Sequence, residues 1–126
     1  MKTLTDLKRF NMIEQQIRTW DVFDTLILDL YDKIKREEYV PEPYEKIAFT
    51  DTQIPLKHNQ YMLAPKQEAR VLQSLQLKPT DHILHVGTGT GFFAALLASL
   101  SKHVVTMDLF ENFLEDAKSI HQKNNL

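Results

Sequence analysis

Residues 82–91 read HILHVGTGTG, an apolar run that ends in three glycines at alternate positions. A small apolar sequence, FFAALLA at residues 92–98, follows directly. Gly87, Gly89 and Gly91 are the only glycines among the 126 residues, so backbone freedom is concentrated at one turn. The pattern predicts a strand at 82–86, a turn at 87–91 and a helix at 92–100. Doubly wound α/β proteins bind nucleotides at a strand-to-helix turn of this kind.

The residues after this helix predict a second strand at 103–107, then Asp108, then a helix at 111–124. The chain from residue 79 onward therefore has the order βαβα. We assign residues 79–126 to the first half of a Rossmann-like sheet in an α/β fold. Residues 1–78 form an N-terminal helical segment in this interpretation.

Apolar residues at helical spacing predict a first helix over residues 3–20 and a second helix that Asp21 caps. The apolar stripe of the first helix comprises Leu7, Phe10, Ile13, Ile17 and Trp20. The buried side of the second comprises Leu26, Ile27, Leu30, Tyr31 and Ile34. Near its end we expect a solvated charged face of Lys33, Lys35, Arg36, Glu37 and Glu38.

Pro41 and Pro43 interrupt the helical pattern. Residues 46–50 then predict a short strand, and residues 51–64 form a long polar connection. A loop of that length in a compact domain indicates either a functional or a disordered segment. Pro65 suits the first turn of a third helix, which runs to about residue 75. Its inward residues are predicted to be Ala69, Leu72 and Leu75.

The composition argues against several classes of partner. The net charge is −2, so there is no strong basic field to attract nucleic acid. The absence of cysteine excludes disulfides and thiolate chemistry and agrees with a cytoplasmic location, which we predict. No apolar run approaches the ~20 residues of a membrane span, so we expect no membrane partner. His82 and His85 would point to opposite faces of a strand, and we predict no metal site.

The glycine spacing indicates which nucleotide the turn would bind. The spacing is G-x-G-x-G rather than the dinucleotide fingerprint G-x-G-x-x-G, and Phe92 would place a bulky ring early in the helix. S-adenosylmethionine has no phosphates, and its ribose hydroxyls need a carboxylate. Asp108 ends the second strand, where a ribose-binding acid belongs in such units. An N-cap role for Asp108 is the alternative, and a plain tight turn is the alternative for the glycines.

Residues 83–91, ILHVGTGTG, resemble motif I of class I S-adenosylmethionine-dependent methyltransferases. Residues 54–65, IPLKHNQYMLAP, resemble a loop of the protein-L-isoaspartate O-methyltransferase family. Asp51, Val40-Pro41, Val22 and residues 11–18 also resemble that family, so the similarity spans nearly the whole chain. The resemblance implies protein repair, in which a methyl group is transferred from S-adenosylmethionine to an isoaspartyl carboxylate of a damaged protein or peptide.

The resemblance also implies the residues of the site. The cofactor residues would be His85, Gly87, Thr88, Gly89, Gly91 and Asp108. In the loop, Gln60 matches the family glutamine, whereas Tyr61 and Leu63 stand at the family's Thr and Ser positions. Leu63 cannot donate a hydrogen bond, so we assign no catalytic residue, and His58, Gln60 and Tyr61 are the loop candidates. His85 stands where the motif usually has an acid, and we expect weaker cofactor binding.

Only two strands of the sheet are predicted, which leaves one edge of strand 82–86 open and apolar. We therefore expect the 126-residue chain to be impaired as a monomeric enzyme. It would be a fragment, a truncated product or half of an assembly. The alternative function is a catalytically inactive relative that binds partners or self-associates, as a homo-oligomer or by domain swapping through the open sheet edge.

Overall fold

The glycine-containing unit folds as the sequence predicts. The computed structural model describes residues 3–124, in which β3 (His82–Val86) and β4 (His103–Met107) pair in parallel. The register runs from His82 opposite His103 to Val86 opposite Met107. Helix α4 (Phe92–Leu100) makes the crossover between the strands, and α5 (Glu111–Lys123) follows the second strand. The strand bounds and the bounds of α4 are the predicted ones.

One face of this sheet is covered and the other is bare. Ile83 and Val104 pack towards the core, in which five of the nine residues of α4 are buried. On the opposite face, Leu84 is 63% exposed and Val86 is 75% exposed. Val105 and Met107 continue this apolar face on β4. β3 pairs only with β4 within residues 3–124, so the predicted open edge is confirmed for the described part of the chain.

The N-terminal segment is helical but less regular than predicted. Helix α1 (Leu4–Met12) begins at a capping box in which Thr3 and Asp6 bond each other's backbone amides. A π-helical turn (Ile13–Ile17) and a 3-10 turn (Arg18–Trp20) replace the rest of the expected helix. In the predicted apolar stripe, Ile13 and Ile17 of the π-helical turn are buried. The other three residues are about half exposed: Leu7, Phe10 and Trp20.

The predicted cap of the second helix is wrong. Asp21 adopts a left-handed conformation (φ 58°) that ends the first helical segment. Helix α2 (Thr25–Lys33) begins instead at Asp24, whose side chain accepts a hydrogen bond from the Leu26 amide. Leu26 lies in solvent, contrary to the prediction, whereas Ile27 is buried as predicted and Leu28 is buried as well.

The predicted strand at 46–50 is also wrong. A 3-10 helix (Glu42–Ile47) covers its first two residues, because Pro43 in the first turn fixes a φ angle that suits a helical turn, and residues 48–50 continue in a turn. The connection 51–64 contains a short hairpin of β1 (Ile54–Pro55) and β2 (Tyr61–Met62), which pair antiparallel. Helix α3 (Pro65–Leu75) has the predicted bounds, although Leu75 is half exposed rather than inward.

A buried ion pair joins these helical segments. Arg36, expected on a solvated face, is only 1% exposed and pairs with Glu68 of α3. Its guanidinium also donates to the carbonyls of Ala48 (2.8 Å) and Leu63 (2.9 Å) and lies over the Phe92 ring. Arg36 therefore holds the Leu63 carbonyl, which follows the hairpin, close to Phe92 at the start of α4.

Candidate functional site

The glycine turn lies at the carboxyl end of both parallel strands. The amides of Gly87 and Thr88 donate to the Met107 carbonyl, at 2.7 and 3.1 Å, which extends the sheet pairing into the turn. The Gly91 amide donates to the Thr88 carbonyl at 2.9 Å and closes the turn before α4. The backbone is therefore fixed on the core side of the turn.

The glycines serve different purposes. Gly87 has φ +98°, and a Cβ placed there would meet no atom within 4 Å, so its outer side is open. Gly91 has φ +88°, and a Cβ there would lie 2.7 Å from the Cβ of Ala117 in α5. Gly91 thus allows α5 to pack closely, whereas Gly87 presents bare backbone to the space above the sheet. Leu56 of the hairpin lies above Gly89, 3.7 Å from a Cβ built there.

Asp108 stands at the tip of β4 and bridges the turn to the next helix. Its Oδ2 accepts a hydrogen bond from the Gly89 amide, and its Oδ1 accepts one from the Phe110 amide, both at 3.0 Å. The second bond is a local contact with the residue two positions on; Phe110 is the N-cap of α5, so Asp108 is not the helix cap that the sequence left as an alternative. A carboxylate has about four lone-pair sites, so these two bonds leave capacity for ligand hydroxyls.

His85 lies beneath the turn, on the covered face of the sheet. Its Nδ1 is 2.9 Å from the Thr106 hydroxyl, which is 2.6 Å from the Thr88 hydroxyl. The ring also contacts Phe93. Burial lowers the pKa of His85, and the negative charge of Asp108 opposes that shift in part. Burial therefore favours the neutral imidazole, which adds no positive charge below the turn.

The loop candidates fall into two groups. His58 stacks on Phe110, with ring centroids 4.0 Å apart, and its Nε2 lies 3.0 Å from Asn112 Oδ1. The Gln60 side chain donates to the His58 carbonyl and holds the loop. These contacts bring His58 to the Asp108 side of the turn. Tyr61, which is 62% exposed, and Leu63, which is also exposed, remain in solvent.

A groove of about 640 Å³ runs from the glycine turn towards α5. Gly89 and Thr90 line one end of it, and most of its walls are apolar. The apolar walls include Tyr39, Pro41, Tyr44, Leu56, Phe113 and Ile120. The groove also has the acidic residues Glu38, Glu42 and Asp116, against one basic residue, Lys57.

Sequence reasoning missed four residues that contact the site. These are Arg36, Phe110, Asn112 and His121, whose Nε2 lies 2.8 Å from the Gly91 carbonyl oxygen. The only local signal was the position of Phe110 and Asn112 just after Asp108. Across residues 3–124, no group of three or more possible ligand side chains is arranged to hold a metal ion. In the same range no helix is long and apolar enough to cross a bilayer.

A parallel pair of strands, a crossover helix and a glycine turn beside a strand-end carboxylate define half of a methyltransferase fold. Solved structures support that class. A protein-L-isoaspartate O-methyltransferase superposes with a TM-score of 0.77 at 21% identity, over 94% of this chain and 39% of the other. A Plasmodium falciparum protein solved with S-adenosyl-L-homocysteine gives a TM-score of 0.67 at 18% identity, over 97% and 56%.

Sequence comparisons narrow the class to one family. The profile of protein-L-isoaspartate(D-aspartate) O-methyltransferases matches residues 8–126. Protein-L-isoaspartate O-methyltransferases from Koribacter versatilis and Protochlamydia amoebophila are 38% and 33% identical over 81% and 85% of this chain. The chain belongs to the protein-L-isoaspartate O-methyltransferase family. It spans about half the length of these relatives, 46% and 51%.

Proposed function

We propose that the glycine turn binds S-adenosylmethionine and that the chain contributes the cofactor half of an isoaspartyl methyltransferase. The observation that carries this proposal is the placement of the Asp108 carboxylate on the Gly89 amide, beside the open backbone of Gly87. The carboxylate suits the ribose hydroxyls, and the bare backbone suits the amino-acid part of the cofactor. Gly91 shapes the turn through α5, and His85 supports Thr88 from below.

The proposed reaction needs positioning rather than a strong base. A carboxylate oxygen of the isoaspartyl residue attacks the methyl carbon of the sulfonium. As the new C–O bond forms, the C–S bond breaks and S-adenosylhomocysteine leaves with the electron pair. The acceptor is already ionised at neutral pH, so holding donor and acceptor in line supplies most of the rate enhancement. This fits a site in which Leu63 offers no polar side chain and Tyr61 offers an exposed hydroxyl.

The groove beside the turn is the proposed path of the polypeptide substrate. Its apolar walls suit an extended peptide, and its acidic residues favour basic residues near the isoaspartyl group. A groove that begins at Gly89 and Thr90 would place one end of the peptide next to the cofactor.

Cofactor binding is testable by calorimetry. We expect the chain to bind S-adenosylmethionine and Asp108→Asn to bind it at least tenfold more weakly, because the ribose loses a charged acceptor. Asp116→Asn makes the same charge change in the groove and should leave the affinity unchanged. Equal affinities for the wild type and Asp108→Asn, or no heat from the wild type, would contradict the proposal.

The bare sheet face favours a second function, association with another copy of this chain. Stacking two such faces would remove Leu84, Val86, Val105 and Met107 of each copy from water, and large exposed apolar patches mark interaction sites. The unpaired edge of β3 offers backbone donors and acceptors to the same partner.

Light scattering after size exclusion tests this association. We expect a dimer for the wild type and a monomer for Leu84→Lys, since a buried charge without a partner opposes stacking. Leu4→Lys changes an equally exposed leucine on α1 and should remain dimeric. A monomeric wild type would rule out association through this face.

A further inference from the structure

Two histidines lie side by side at the beginning of the parallel strand pair. His82 is the first residue of β3 and His103 the first of β4, and the register places them directly opposite each other. Their ring centroids are 6.1 Å apart, with an interplanar angle of 53°. Both residues are exposed on the bare face of the sheet, whereas His85 lies on the covered face. Strand pairing thus brings together two histidines that spacing along the chain does not relate.

Both imidazoles are free to bind a ligand, while the backbone beneath them is held in place. Among residues 3–124, neither ring has a hydrogen-bond or ion-pair partner. The amides of Lys102 and His103 donate to the Asp81 carbonyl at 2.9 and 3.3 Å, which ties the start of β4 to the residue before β3. The Asp81 carboxylate in turn accepts from the Lys78 amide at 2.8 Å. The two strand ends are therefore positioned before any ligand arrives.

A pair of neighbouring imidazoles suits a borderline divalent metal ion. Imidazole nitrogen is a ligand that zinc, copper and nickel share, whereas calcium and magnesium prefer oxygen. Zinc–nitrogen distances of about 2.0–2.1 Å and a tetrahedral angle would place two ring centroids about 5 Å apart. The observed 6.1 Å is about 1 Å longer. Exposed side chains close such a gap by rotating about their χ angles, without a change in the strands.

We propose that His82 and His103 chelate one divalent transition-metal ion, of the zinc or copper type, within a single chain. No third histidine or carboxylate joins the pair among residues 3–124, so water fills the remaining coordination positions. Two protein ligands make a weaker site than the three or four of catalytic and structural zinc centres. The pair lies about 16 Å along β3 from the glycine turn, so this site is independent of the proposed cofactor site.

Calorimetry with Zn²⁺ tests the site on the full chain, free of any histidine tag. We expect the wild type to bind one Zn²⁺ per chain. His82→Gln and His103→Gln should each bind it at least tenfold more weakly, because the second imidazole no longer acts at the high effective concentration of a linked ligand. His58→Gln removes an exposed histidine of the hairpin instead and should match the wild type.

Several results of this titration would overturn the proposal. Absence of Zn²⁺ binding by the wild type, or an affinity that only one of the two substitutions lowers, would show that the histidines do not act as a pair. One ion per two chains would place the metal between copies rather than within a chain. An equal loss in His58→Gln would show non-specific binding to surface histidines.

Electron paramagnetic resonance with Cu²⁺ supplies a readout within the wild type itself. Cu²⁺ uses the same ligands and binds more tightly than Zn²⁺ in most nitrogen sites. With less than one equivalent of Cu²⁺, the spin-echo modulation should show two coordinated imidazoles in the wild type and one in His82→Gln. A single coordinated imidazole in the wild type would overturn the chelate.

Discussion

Gly91→Ala is expected to destabilise the folded chain by about 3–5 kcal/mol. The added methyl group would lie 2.7 Å from Ala117 Cβ and 3.1 Å from His121 Nε2, so α5 would have to move away from the turn. The residue would also hold a φ of +88°, which disfavours any side chain. A loss of this size is a large part of the stability of a small domain. Urea denaturation followed by circular dichroism measures it.

Gly87→Ala is the matched control for that variant. Gly87 has a similar positive φ of +98°, but a methyl group there meets no atom within 4 Å. Its cost should be the backbone term alone, about 1–2 kcal/mol. The difference between the two variants isolates the contact with α5. Equal losses would show that Gly91 serves the turn conformation rather than helix packing.

Arg36→Met is expected to cost about 3–5 kcal/mol above pH 7, where the Glu68 carboxyl of the folded chain is ionised, because it leaves that carboxylate buried without its partner. The carbonyls of Ala48 and Leu63 lose their donors as well. Arg36→Met combined with Glu68→Met should recover most of the loss, since a well-packed apolar pair avoids the desolvation of both charges. Thermal or urea unfolding of Arg36→Met, Glu68→Met and the double variant, compared with the wild type, completes the double-mutant cycle.

The control for this cycle is Arg18→Met. Arg18 pairs with Glu14 four residues earlier, and both side chains are largely exposed. Such surface pairs contribute about 0.5 kcal/mol. A loss from Arg36→Met no larger than that from Arg18→Met would contradict the account of a buried clamp.

The same pair should make stability depend on pH. Burial raises the pKa of Glu68 from 4.5 to about 7, although Arg36 opposes the shift. The folded chain then binds more protons than the unfolded chain between those values. The free energy of unfolding should therefore fall as the pH rises from about 4.5 to 7, by up to about 3 kcal/mol, and level off above. In Glu68→Gln this fall should disappear. The lowered pKa of His85 acts in the opposite direction in both proteins, so it cancels in the comparison.

The parts of the fold that sequence predicts well are those whose signals are local. The glycine spacing and the apolar runs around it give the bounds of β3, α4 and β4, and parallel pairing then brings Asp108 to Gly89. The prediction that Asp21 caps the second helix is wrong because aspartate suits two roles. It is favoured as a helix N-cap, and it is also tolerated in the left-handed conformation that ends a helix. The strand predicted at 46–50 is wrong because its apolar residues reach the core from a 3-10 helix and a turn instead of an extended backbone.

The remaining features depend on distant partners. Arg36 sits in a charged run that is typical of a solvated surface, and it is buried only because Glu68 lies 32 residues later and α3 brings it close. His58 and Phe110 are 52 positions apart in the sequence, so their stack follows from the hairpin folding over the glycine turn. No periodicity or motif encodes either contact.

Amide shift mapping tests most directly whether the glycine turn and Asp108 bind the cofactor. In a titration of the 15N-labelled chain with S-adenosyl-L-homocysteine, we expect saturable shifts of the Gly87, Thr88 and Gly89 amides and of the amide of Leu109, which directly follows Asp108. Shifts confined to the groove residues near Tyr44 and Ile120, or saturation without a change at the turn, would contradict the claim.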